Sequence, residues 1–212
     1  VAATGRHRAV HHDPAEAGRD VDELTQLFVD DITAPTRPCG LIKVGTGYHH
    51  LDDVERVSLE AAAAAHRSTG VPVAVHLELG TGADLVLGHL DEHQVPAGSI
   101  VLGHLGRHPD SGYLREVAAA GTFLCFDGPS RANHHTDWRT PELIERLAGD
   151  GHLDQLLIGG DTTTAAARSV TSGPGMPGLL REFHQSIVRR IGAPAGQAIT
   201  VTNPARAFAR RP

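Results

Sequence analysis

Cysteine is scarce. Cys39 and Cys125 are the only two in 212 residues, and their spacing gives neither a C-x-x-C pair nor a disulfide framework. Both read as buried or half-buried thiols of a reducing compartment, so the expected location is cytoplasmic. Long apolar runs are missing too. None approaches the roughly 18 to 20 residues that span a bilayer, and no signal peptide is visible. No membrane partner is therefore expected. Lys and Arg total 19 against 25 Asp and Glu, for a formal charge of −6, and the cations are scattered along the chain. Without a basic cluster there is no electrostatic footprint for nucleic acid. What remains is a small neutral or anionic molecule as substrate.

With about 40% hydrophobic residues, the chain is expected to form one globular domain spanning 1–212, near the usual size limit of a single core. Six short apolar runs stand out: Val1 to Thr4, Leu41 to Val44, Val71 to His76, Ile100 to His104, Thr122 to Phe126, and Leu156 to Asp161. Their near-continuous hydrophobicity is that of parallel strands covered on both faces. Helical segments lie between them, at Val21 to Asp31, Leu51 to Thr69, Ala83 to His93, Gly112 to Ala120 and Pro141 to Asp150. Glycine precedes the strands in Ser68-Thr-Gly-Val-Pro, Ala120-Gly-Thr and Asp150-Gly-His, as a helix C-cap does.

A strand, a helix and a glycine turn thus recur about every 30 residues, the period of a TIM (β/α)₈ barrel. A doubly wound sheet has the same alternation, but it calls for a Gly-rich phosphate loop after an early strand, and the His-rich stretch after Val1-Ala-Ala-Thr-Gly is no such fingerprint. Six strands leave a closed barrel two short. After Asp161 the chain reads as a Ser/Gly/Pro-rich loop from Ser169 to Pro177, a helix from Gly178 to Ile191, and a last helix capped by Asn203 with Pro204 at its first position. The chain also opens on Val1 rather than Met. Strands 3–8 of a barrel are therefore expected here, with strands 1–2 upstream of Val1. Open sheet edges would then drive aggregation or pairing with another chain, for example as a homodimer.

Histidine is plentiful, at 15 residues, so only histidines in patterned positions carry an argument. Four polar residues end apolar runs: Lys43 in Gly40-Leu-Ile-Lys-Val, His76 in Pro72-Val-Ala-Val-His, His104 in Ile100-Val-Leu-Gly-His, and Asp161 in Leu156-Leu-Ile-Gly-Gly-Asp. Each is costly in an apolar interior, and making them ligands or partners of one another offsets that cost. The bland alternatives are a surface lysine at a strand end, satisfied core histidines, and Asp161 as a helix N-cap before Thr162 to Thr164. The pairs His11-His12, His49-His50 and His134-His135 fall in expected loops, where solvated side chains are the default. Tyr48, Asp127, Arg131 and Trp138 are candidates to touch substrate from such loops. Gly173-Pro-Gly-Met-Pro-Gly reads as a turn-rich loop, with a substrate lid as the other reading.

Val1-Ala-Ala-Thr-Gly, Gly40-Leu-Ile-Lys-Val, Ala65-His-Arg-Ser-Thr-Gly-Val-Pro-Val-Ala-Val-His, Val101-Leu-Gly-His and Ile199-Thr-Val-Thr-Asn-Pro-Ala-Arg-Ala-Phe resemble, in order, segments of the phosphotriesterase family of amidohydrolase-like metal hydrolases. The resemblance covers essentially the whole chain. It implies two divalent ions, usually Zn²⁺, with Co²⁺, Mn²⁺ and Fe²⁺ as alternatives. Lys43 would be carboxylated by CO₂, and its carbamate would bridge them. His76 and His104 would hold one metal, and Asp161 would bind the other and accept a proton from the bridging hydroxide. The resemblance also implies a His-x-His pair on the first barrel strand, which has no counterpart here. A proton relay of some members needs a histidine and an acid where this chain has Gly128 and Arg107; Asp127, Arg131 or Asp110 lie nearby. Gly103-His-Leu-Gly looks closer to a lactonase-like branch. The implied activity is hydrolysis of a small lactone, carboxylic ester or phosphoester. Two other readings are a Schiff-base aldolase with Lys43 as nucleophile, and a truncated barrel without catalysis.

Overall fold

Acidic caps begin the first two long helices. The Asp20 side chain accepts from the Glu23 backbone N–H while Glu23 accepts from the Asp20 N–H, and Asp52 and Glu55 repeat the arrangement. These capping boxes satisfy backbone donors that the first helical turn leaves unpaired. The computed structural model describes residues 1–13, 18–128 and 137–211, and its contacts divide the chain into two compact units. One comprises Val1–Leu102 with Arg206–Pro212, the other Gly103–Ala205.

The first unit alternates β1 (Ala3–Thr4), α1 (Val21–Thr33), β2 (Leu41–Thr46), α2 (Asp53–Thr69), β3 (Val73–Leu77), α3 (Ala83–Glu92) and the start of β4 (Ile100–Gly103). The strands stand side by side in chain order, with β1–β2 and β2–β3 parallel, as expected of strands joined by helical crossovers. Ile42 and Val44 of β2 and Val73, Val75 and Leu77 of β3 are fully buried, together with Leu24 and Phe28 of α1 and Leu59 of α2. Alternate residues of β2 and β3 therefore supply the core. The residues between them, Lys43 and Gly45, and Ala74 and His76, share the opposite face, because the register sets Lys43 beside Ala74 and Gly45 beside His76. Gly70 ends α2 at φ 71° with its N–H on the His66 carbonyl, the left-handed cap expected of that glycine.

The second unit continues with α4 (Ser111–Ala119), β5 (Phe123–Asp127), α5 (Thr140–Leu147) and β6 (Leu156–Gly159). β5 and β6 pair in parallel, Leu124 beside Leu156 and Asp127 beside Gly159. Five sequence-expected strands keep most of their length; the first shrinks to two residues, and the last stops at Gly159, two short of Asp161. Helical turns then run through Gly175–Gly178, Leu179–Phe183 and His184–Ile191, so the expected helix begins earlier and carries a wide turn in its middle. Asn203 corrects its sequence reading. The chain is already helical through Ala198–Thr202, and Asn203 has helical backbone angles, so it is no cap. It is fully buried, and its Nδ2 donates to the Leu153 and Leu156 carbonyls, fixing the entry to β6. Cys39 and Cys125 are half-buried thiols outside any disulfide; burial, then the Asp31 carboxylate, pushes the Cys39 thiol up. Among the described residues no helix is long and apolar enough to cross a membrane.

Candidate metal centre

In the first unit, two glycines let the segment after β1 lie against β2. A Cβ on Gly5, at φ 120°, would land on the Lys43 carbonyl, and one on Gly45 would come within 2.5 Å of His7 Nδ1 and 2.9 Å of Arg8 N. The close approach brings His7 edge-on to His76, with ring centroids 4.4 Å apart. His76 Nε2 lies 2.9 Å from Glu78 Oε2, which also accepts from Arg8 Nη1 at 2.7 Å. Burial pushes the Glu78 carboxyl up, but the His76 hydrogen bond and the Arg8 charge outweigh it and hold the group below its usual range. Sequence reasoning missed His7, Arg8 and Glu78. The available signal was the offset of Glu78 two residues beyond His76.

In the second unit, strand ends again deliver the polar groups, and His104 follows β4 directly. It is 5% exposed and lies in the left-handed region at φ 66°. Asp127, the last residue of β5, accepts from the His104 backbone N–H at 3.2 Å and holds its ring Nδ1 at 2.5 Å. Asp161 also has a positive φ, of 43°; its Oδ2 lies 3.9 Å from His104 Nδ1 and accepts from Arg107 Nη2 at 2.7 Å. A left-handed conformation costs a non-glycine residue on the order of 1–2 kcal/mol, and such outliers cluster where side-chain placement matters more than backbone comfort. Two such residues meeting over one carboxylate pair are a site built by the fold.

Structure brings His104 and Asp161 together, and sets Lys43 and His76 on one sheet face of the other unit. Asp127, a substrate candidate by sequence, grips His104. Arg107, which stands where an acid was sought, neutralises Asp161. Tyr48 is 59% exposed and stacks edge-on with His49. Trp138 is 74% exposed and lines a groove of about 700 Å³ with Pro141, Glu182 and Arg189, a lining that includes none of His104, Asp127 or Asp161. Arg131 and the pair His134-His135 lie outside the described residues.

A sequence model of the phosphotriesterase family matches residues 1–206. The chain belongs to the phosphotriesterase family. Among curated relatives it is 34% identical over 234 aligned positions to a protein of Mycoplasmopsis synoviae named phospho-furanose lactonase, covering 99% of this chain and 66% of that one. It is 29% identical to the aryldialkylphosphatase of Saccharolobus solfataricus, over 76% of this chain and 53% of the relative. An uncharacterized Mycoplasma pneumoniae protein is 35% identical over 65% of this chain and 44% of its own length. The chain thus spans about two thirds or less of these relatives. Among solved structures, an amidohydrolase from Mycoplasma synoviae superposes with a TM-score of 0.89 at 28% identity, over 99% of this chain and 66% of that one. A lactonase from Listeria monocytogenes superposes at 0.92 with 24% identity, over 99% and 73%. The fold is thereby that of the phosphotriesterase-like TIM barrels.

Phosphotriesterase-family proteins are binuclear metal enzymes, and the donors here suit divalent ions. His104, Asp127 and Asp161 offer ligand atoms within 4.8 Å of one another. An imidazole and a carboxylate, His104 and Asp161, are donors that Zn²⁺ and its first-row neighbours accept, with Asp127 holding the ring from its Nδ1 side. Arg107 does not exhaust Asp161, because a carboxylate has two oxygens and about four lone-pair sites.

Proposed function

We propose that this protein is a metal-dependent hydrolase of small esters, with lactones as the preferred class and carboxylic esters or phosphoesters as further substrates. The observation that carries the reading is the second-unit cluster, in which Asp127 fixes the His104 ring beside Asp161 in a chain of the phosphotriesterase family. The lactone preference draws on the relative named phospho-furanose lactonase.

When bound, the two divalent ions, Zn²⁺ in the first instance, would supply a nucleophile from water near neutral pH and polarise the substrate oxygen. Within the first unit Lys43, as the carbamate formed with CO₂, and His76 would be metal ligands; within the second, His104 and Asp161 would be. Asp127 keeps the His104 proton on Nδ1, leaving Nε2 as the ring's lone-pair donor. Asp161 accepts the proton that water gives up on attack. Arg107, bonded to the same carboxylate, restrains its orientation. His7, Arg8 and Glu78 set the position of the His76 ring.

The test is hydrolysis of a panel of lactones, carboxylic esters and phosphotriesters by the chain before and after chelation. Activity should vanish with the metal and return with Zn²⁺, Co²⁺ or Mn²⁺, and Asp161→Asn should lower kcat by about 10²- to 10⁴-fold. Turnover indifferent to chelator, accompanied by borohydride trapping of a substrate on Lys43, would overturn this reading in favour of a Schiff-base enzyme.

A further inference from the structure

A second group of metal-type donors lies in the first unit on the helical layer, away from the strand ends. His89 of α3 and His93, the residue that caps it, are four apart and so share one helix face. Their rings are 4.8 Å apart between centroids. Glu60 comes to them from α2. Its Oε1 lies 3.7 Å from His89 Nε2 and 3.8 Å from His93 Nε2, and all three ligand atoms fall within 4.8 Å of one another.

His89 supplies the observation that points to a ligand. Its side chain is 92% buried, with 8% exposed, and its buried Nε2 has no hydrogen-bond partner. The ring does bond to the Arg56 backbone, and with Nε2 unpartnered that bond falls to Nδ1. A backbone carbonyl taking the Nδ1 proton leaves the Nε2 lone pair directed at Glu60 and His93, which is how metal-bound imidazoles are held from behind. An unpaired buried nitrogen is destabilising, and a cation at this point removes the cost. Arg67, seven residues after Glu60 on α2, donates to the His93 carbonyl at 2.5 Å, so the end of α3 is tethered to the helix that carries the carboxylate. The Arg56 charge opposes a cation here; the Glu60 carboxylate offsets it.

We propose that Glu60, His89 and His93 form a Zn²⁺ site that clips α2 to α3, separate from the residues assigned to hydrolysis. Ligands about 2.0–2.1 Å from a tetrahedral zinc are about 3.3 Å apart, so the Glu60 carboxylate at 3.7 and 3.8 Å from the two imidazoles has to close on each by about half an ångström. Glu60 and His93 side chains are about a third exposed, at 32% and 34%, and the fourth position opens towards water.

Metal-free protein is loaded with Zn²⁺, passed through gel filtration, and analysed for zinc per chain, alongside the Glu60→Gln/His93→Gln double variant. The wild type should retain one zinc more than the variant and melt about 5 °C higher with zinc than without, a gain the variant lacks. Equal zinc contents overturn the proposal, as does zinc lost from both on gel filtration. Metal that persists in the double variant reports on the hydrolytic residues, so failure of one reading is distinguishable from failure of the other. Should the variant not fold, the wild type decides alone: zinc should protect His93 from diethylpyrocarbonate, read by peptide mass spectrometry, and unchanged modification refutes the site.

Discussion

Asp127 acts on His104 twice, through the backbone N–H and the ring, and so determines both where the imidazole sits and which nitrogen keeps its proton. Asp127→Asn can retain the backbone contact but loses the anionic partner of Nδ1. Metal affinity should fall by about 10- to 100-fold with the melting temperature of the metal-free protein little changed, as measured by metal titration and thermal unfolding. Lys43 permits an equally selective measurement, because it is the chain's only lysine. Under ¹³C-bicarbonate, a single metal-dependent side-chain carbamate carbon should appear by NMR and be absent from Lys43→Met; no such resonance in the wild type refutes the carbamate. The uniqueness of this lysine was legible in the sequence and strengthens the strand-end pattern that singled it out. His104 and Asp161 were legible for the same reason, a polar residue ending an apolar run. His7 and Arg8 were not, because nothing local shows that Gly45 lets their segment lie on β2. Arg107 was legible only as a departure from expectation, since an ion pair spanning 54 residues has no local sequence mark.

At the scale of elements, the strand and helix positions followed from hydrophobic runs and glycine stops, both of which act locally. The misreadings arose where tertiary contacts override local preference. Asn203 has the composition of a cap, yet two carbonyls of the β6 entry engage its amide inside a helix already under way. The capping box of α2 shows a local signal with a longer reach. Glu55, only 3% exposed, accepts from the Asp52 N–H and also from the Gly47 N–H. One carboxylate therefore ties the helix start to the turn that leaves β2, the strand of Lys43. Glu55→Ala strands two backbone donors where water has little access, and should cost about 2 kcal/mol or more, read as a lower urea midpoint with an unchanged slope. Asp52→Ala removes the cap alone and should cost about 1 kcal/mol. Equal losses in the two variants would mean that the Gly47 contact contributes nothing.

Over the whole molecule, sequence order and contact order part company at the C-terminus. Residues from Arg206 onward belong to the unit built from Val1–Leu102. Arg210 Nε donates to the Thr69 carbonyl, Arg211 N to the Gly70 carbonyl and the Arg211 guanidinium to the Gly98 carbonyl. The tail thus covers the last turn of α2 and the approach to β4, and it packs so closely on Gly70 that a Cβ there would land on the Arg211 carbonyl. Deleting Arg206–Pro212 frees those three carbonyls and should speed hydrogen exchange around Thr69–Val73 and Gly98–Val101, with little change in β5 and β6. Gly70→Ala should reproduce the effect in the full chain, through overlap with Arg211 in addition to the left-handed strain of about 1–2 kcal/mol. In the deleted chain only the strain remains, so the substitution should cost less there than in the full chain. Additive costs for the two changes would show that the tail does not rest on Gly70 in solution.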